Sequence, residues 1–91
     1  LPDRNKQMGE VVVRINKKAQ IFAANTGLKI IRELAADSFN GPHACYRFHA
    51  PEASRHIDTL VKAGQPLPDW LIRNCKYFKA MGWNVSSLAH Q

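Results

Sequence analysis

The chain has 91 residues, enough for one domain with one modest core, and 45% of them are apolar, which excludes a polar disordered tail. Thirteen Lys and Arg against seven Asp and Glu give a net charge of +6, a balance that favours polyanionic partners such as nucleic acid or an acidic protein. Two cysteines, Cys45 and Cys75, are too few for a secreted disulfide scaffold, and no apolar run approaches the roughly 18 residues that cross a bilayer. A reducing, cytoplasmic setting without membrane contact is therefore expected.

Residues 1–6 are polar, contain Pro2 and read as a frayed start. From Met8 the pattern turns helical. Met8, Val12, Ile15, Ala19 and Phe22 recur at spacings of four and three, which predicts a buried stripe widened by Val11 and Ala23, with Arg14, Lys17 and Lys18 on the opposite face beside Glu10. The β-branched run Val11-Val12-Val13 favours a strand, but the periodicity favours a helix. Asn25-Thr26-Gly27 is the natural break, because Asn and Gly tolerate left-handed geometry and Gly weakens a helix interior. A second helix then places Leu28, Ile30, Ile31, Leu34 and Ala35 on one arc and Lys29, Arg32, Glu33 and Asp37 on the other, ending at Asn40-Gly41-Pro42.

From Pro42 to Ala50 the residues alternate: Ala44, Tyr46 and Phe48 on one side, His43, Cys45, Arg47 and His49 on the other. This predicts a short strand or extended connector. Pro51 opens a helix with Ala53, Ile57, Leu60 and Val61 at apolar spacing, an Asp58 to Lys62 pair one turn apart, and Gly64 as its stop. After the short link Gln65-Pro66-Leu67, the stretch from Leu67 to Met81 is the most fully punctuated helix. Pro68 suits its first turn, Asp69 favours the positive end of the dipole, and Gly82 can close it. Trp70, Leu71, Cys75, Tyr77, Phe78 and Met81 share one face of this helix, and Arg73, Lys76 and Lys79 share the other. Its neighbour should be the preceding helix, packed antiparallel. Residues 84–91 read as an extension opening another helix, capped by Asn84 or Ser86, so the single domain over 1–91 reads as a piece excised from a longer chain.

Candidate chemistry is sparse. His43, Cys45 and His49, with Cys75 from the last helix, have the types and number of a tetrahedral zinc set. Their spacing does not match the usual paired ligands, however, and a straight strand would hold His43 and His49 about 20 Å apart. Ser54, His56 and Asp58 stand at i, i+2 and i+4 of a helix, where the middle residue faces away from the other two. No Gly-rich phosphate loop or activated nucleophile stands out, so neither an enzyme nor a cofactor or metal site is expected.

Between Ile21 and Asp37, the small Ala23, the glycine four residues on at Gly27, and Ile30, Ile31 and Leu34 resemble a helix-turn-helix motif. Glu33 stands where that motif buries an apolar residue. The resemblance implies DNA as the partner. Independently, Arg14, Lys17, Lys18 and Arg73, Lys76, Lys79 each line one helix face, joined by Lys29 and Arg32, a spacing suited to neighbouring phosphates; Tyr46, His49 and Trp83 could stack on bases. Val13, Ile21 and Ile72 lie off the core stripes and suggest instead a dimer or an acidic protein partner.

The expected fold is mainly α: a compact bundle of about four helices with one short extended segment. The alternative is a small α+β form pairing residues 11–15 with 44–48. The expected function is non-catalytic nucleic-acid binding, DNA ahead of RNA, in a regulatory or accessory role. The alternative is a protein-interaction or dimerisation domain of a larger protein.

Overall fold

The helical spacing that begins near the N-terminus is realised as a single helix, α1 (Pro2–Ala36), 35 residues long and about 52 Å from end to end at 1.5 Å per residue. It spans most of the longest dimension of a molecule measuring 57 × 30 × 18 Å. The computed structural model describes residues 2–85, with side chains over 16–85. The remaining described elements are α2 (Pro42–Phe48), α3 (Ala50–Lys62), α4 (Asp69–Arg73) and α5 (Cys75–Ala80). The fold is mainly helical as expected, with no strand among the described residues. The bundle counts as four helices if α4 and α5 are taken as one bent element.

Gly27 does not break α1. The backbone runs through Asn25-Thr26-Gly27 without interruption because the glycine has a packing role. A Cβ built there would stand 2.3 Å from Nε2 of His56 on α3, so the missing side chain is what lets the His56 ring lie against α1. Nε2 of His56 is buried with no hydrogen-bond partner among the described residues, and Oε1 of Glu52 is 3.7 Å away. Around this contact two apolar rows meet: Ala24, Leu28, Ile31 and Ala35 from α1, and Ala50, Ala53, Ile57 and Leu60 from α3. Leu28, Ile31, Ile57, Leu60 and Leu71 are completely buried, each worth about 1.5–3 kcal/mol relative to exposure. The principal partner of α3 is thus α1, not the helix that follows it.

The face of α1 turned to the core is not the one its strongest stripe predicts. Ala19 and Ala23 are exposed, Phe22 is 73% exposed, and Ile30 and Leu34 are each nearly half exposed; Ile21, expected off the stripe, packs on the core. At 100° per residue, Phe22 and Ile30 fall on the side of the helix opposite Leu28 and Ala35, so α1 has two apolar faces and buries the less bulky one. The N-terminal segment expected to fray is helical from Pro2.

The expected extended segment is a two-turn helix. Gly41, at φ 93°, turns the chain, and Pro42 at the start of α2 fits a helix whose first N–H groups need no partner. His49 then ends α2 and begins α3, donating its N–H to the Cys45 carbonyl while its own carbonyl accepts from Ala53. Residues 44–48 are therefore unavailable for the two-stranded sheet of the α+β alternative.

The helix expected over Leu67–Met81 bends at Asn74. Its side-chain amide donates to the Trp70 carbonyl at 2.8 Å, competing with the helical backbone bond, and its backbone sits at φ −116°, ψ 29°. At the far end Gly82 adopts φ 93°, its N–H bonds to the Lys79 carbonyl and the Trp83 N–H to the Phe78 carbonyl, a Schellman closure. That closure folds Trp83 back onto Phe78, with ring centroids 4.4 Å apart. Beyond it, the Asn84 backbone N–H donates to Oγ of Ser54 and its side chain to Oδ1 of Asp58, strapping the chain across α3. Asp58 is thus engaged by Asn84, and no Asp58–Lys62 pair forms. The expected helix start at Ser86 lies outside the described residues.

Replacing Gly27 by Ala should cost about 1–3 kcal/mol through overpacking, despite roughly 1 kcal/mol of gained helix propensity. The double variant Gly27→Ala/His56→Ala should be no less stable than His56→Ala alone, because the added methyl then has room. A urea-denaturation cycle over the four proteins measures this. Equal cost in both backgrounds would contradict the close approach.

Candidate nucleic-acid interface

The cationic residues divide into two groups along α1. Lys17 and Lys18 are exposed near its middle. Lys17 lines a cleft of about 290 Å³ with Gln20 and Ile21, facing Thr59, Lys62 and Ala63 at the end of α3. Lys62 thereby joins the expected set, although its spacing from Asp58 suggests only an intrahelical pair. The side chain of Arg14 lies outside the described residues. Fifteen residues beyond Lys17, about 22 Å along the axis, exposed Arg32 reaches α4, with its guanidinium carbon 5.2 Å from the centre of the Trp70 ring. Lys29 stands one turn before it, also exposed. Arg32 therefore links α1 to the α4–α5 arm, where Arg73, Lys76 and Lys79 are exposed as expected.

Among these residues only Arg73 has a carboxylate partner within the described structure: its Nη2 lies 2.7 Å from Oδ2 of Asp69 one turn back. Both side chains are more than 70% exposed, so the pair is worth under about 1 kcal/mol and competes weakly with an external anion. The other cations, Lys17, Lys18, Lys29, Arg32, Lys76 and Lys79, are presented to solvent without a neutralising carboxylate among the described residues.

Arg32, Tyr46, Trp70, Asn74, Tyr77 and Phe78 enclose a second cleft, of about 310 Å³. Its rings belong to a continuous aromatic cluster. Tyr46 meets Phe78, Tyr77 and Trp83 edge-on at 5.0 to 5.9 Å, and Trp70 meets Phe78 edge-on at 5.4 Å. Trp83 anchors the cluster from beneath, its indole N–H donating to the Tyr46 carbonyl at 2.9 Å. Partial burial and the neighbouring Tyr77 push the Tyr46 phenol above its ordinary pKa, while Arg32 pulls the other way. On the rim, Nδ1 of His43 and the Tyr77 hydroxyl are hydrogen-bonded.

Of the three residues expected to stack on bases, Tyr46 lines this cleft. Trp83 is buried, and Nδ1 of His49 lies 3.2 Å from Oε2 of Glu52. Trp70 and Tyr77, which the helical wheel assigns to the core, pack against it half-buried and also line the cleft.

Other candidate constellations are dispersed. His43 and His49 are engaged with Tyr77 and Glu52, and no group of three or more His, Cys, Asp or Glu suited to a metal exists among the described residues. Cys45 and Cys75 are unbridged, and burial pushes the Cys45 thiol up. Ser54 and Asp58 hold Asn84 on one face of α3, while His56 packs against Gly27. No described helix is long and apolar enough to cross a membrane. No known protein family, curated protein or solved structure matches the chain.

Proposed function

We propose that this domain binds nucleic acid without catalysis, chiefly through the surface where Lys29 and Arg32 of α1 meet Arg73, Lys76 and Lys79 of the α4–α5 arm. The observation that supports this reading is that, among the described residues, Lys29, Arg32, Lys76 and Lys79 are exposed without a carboxylate partner and Arg73 has only the exposed Asp69, while Arg32 joins α1 to the arm at Trp70. Such groups gain by displacing counterions condensed on a phosphate backbone. Lys17 and Lys62 line a separate cleft further along α1, with exposed Lys18 next to Lys17 in the chain, suited to a second stretch of backbone. The DNA preference that rests on a turn at Gly27 loses its support, because α1 continues through that residue and forms no separate recognition helix.

Fluorescence anisotropy of labelled oligonucleotides, titrated across a salt series, tests this reading. Engagement of about four to six phosphates gives a log–log salt slope of about −3 to −5, and replacing Arg73, Lys76 and Lys79 together by Ala should reduce its magnitude by about two. Absence of binding at low salt would overturn the proposal.

A second reading, self-association, is favoured by the outer face of α1. Ala19 and Phe22 are exposed there, and the sequence places Met8, Val12 and Ile15 on the same four-three repeat, the spacing of a coiled-coil seam. A dimer built on that seam would show a concentration-dependent mass by sedimentation, insensitive to salt and lost in Phe22→Ser. A monomeric mass at all concentrations would exclude it.

A further inference from the structure

The cleft between α1 and the α4–α5 arm differs from the rest of the cationic surface in having aromatic walls. Tyr46, Trp70 and Tyr77 are each half-buried and line it, while Phe78 forms its buried floor. Its 310 Å³ lies at the lower end of small-molecule pockets, suited to one planar ring system. No carboxylate among the described residues lines it, and its one charged group is Arg32. The guanidinium already lies over the Trp70 ring, so one side of it is covered by an aromatic surface before any ligand arrives. The cations Arg73 and Lys76 are chain neighbours of Asn74 and Tyr77 in the lining, and Lys29 stands one turn before Arg32.

A ligand complementary to this site has a flat, desolvatable ring and negative charge on both sides of it. We propose that the cleft receives one base of a single-stranded nucleic acid, stacked against the Arg32–Trp70 pair, with the flanking phosphates met by Lys29, Arg73 and Lys76. This rests on the phosphate-binding reading above and deepens it. Single strands are specified because a duplex covers the faces of its bases, whereas an unpaired base can be splayed onto an aromatic or guanidinium surface. Stacking on a ring is tolerant of base identity, so the site selects for strandedness rather than sequence.

The test uses the full 91-residue chain and three labelled oligomers of about twelve nucleotides: an oligothymidylate, the same backbone with abasic residues, and a duplex. The oligothymidylate should bind about tenfold tighter than the abasic strand and quench tryptophan fluorescence. It should also bind at least as tightly as the duplex, despite its lower charge density. Arg32→Gln, at an exposed position outside the core, should weaken binding of both strands through its lost charge but of the oligothymidylate about tenfold more, which removes the advantage over the abasic strand.

Equal affinity for the base-bearing and abasic strands would overturn the cleft as a base site while leaving phosphate binding standing. The base site would be overturned equally if Arg32→Gln weakened both strands by the same factor. Failure of all three oligomers to bind at low salt would overturn both readings.

Discussion

Because Gly27 has no side chain, the His56 ring occupies the space where a Cβ would stand, and α1 lies close enough to α3 for the rows Ala24-Leu28-Ile31-Ala35 and Ala50-Ala53-Ile57-Leu60 to exclude water between them. The other elements take their positions from this pair. The turn at Gly41 drops α2 beside α1, and Tyr46 then presents its ring to Phe78 and its carbonyl to the Trp83 indole. The closure at Gly82 folds Trp83 under the cluster, and Asn84 fastens the chain to α3. Arg32, one residue past buried Ile31, points outward on the neighbouring side of α1 and meets Trp70. The contact of Arg32 with the α4–α5 arm is therefore a consequence of the core.

This organisation separates what holds the domain together from what its surface offers. The buried side chains are all apolar among the described residues, and the exposed ion pair Asp69–Arg73 contributes little to stability. Charge is consequently available for recognition. The cations lie on helices rather than on loops, so binding a polyanion would order side chains but little backbone. The same economy extends to the cleft, where Trp70 and Tyr77 are held by neighbouring rings and Asn74 is fixed by its bond to the Trp70 carbonyl.

The helices are legible in the sequence where punctuation and packing agree. Pro51 with Gly64, and Pro68 with Gly82, bracket α3 and the α4–α5 arm as their chemistry suggests, and Leu71, Phe78 and Met81 are buried on the expected face. Legibility ends where one residue type serves two purposes. Gly27 carries the same signal whether it breaks a helix or admits a neighbour, and only the facing His56 distinguishes the two. Residues 42–50 alternate over a span too short to separate a period of two from 3.6, and Tyr46 and Phe48 favour strands until tertiary contacts decide. On α1 Leu28, Ile31 and Ala35 are buried as their arc predicts, whereas Ala19, Phe22, Ile30 and Leu34 face solvent, so hydrophobicity alone does not select the buried side. The exposed state of Arg73, Lys76 and Lys79 is readable from the helical wheel. The meeting of Arg32 with Trp70 is not, because it is a contact between residues far apart in the chain.

The most direct test of this surface is a map of amide, indole and guanidinium resonances from an isotopically labelled sample titrated with an oligonucleotide. Binding at the proposed surface predicts shifts concentrated at Lys29, Arg32, Trp70, Asn74 and Lys76, with the Trp83 indole and the outer face around Phe22 and Ile30 little moved. Shifts confined to the outer face of α1, or a spectrum unchanged at saturating oligonucleotide, would contradict the assignment of this cationic surface to nucleic acid.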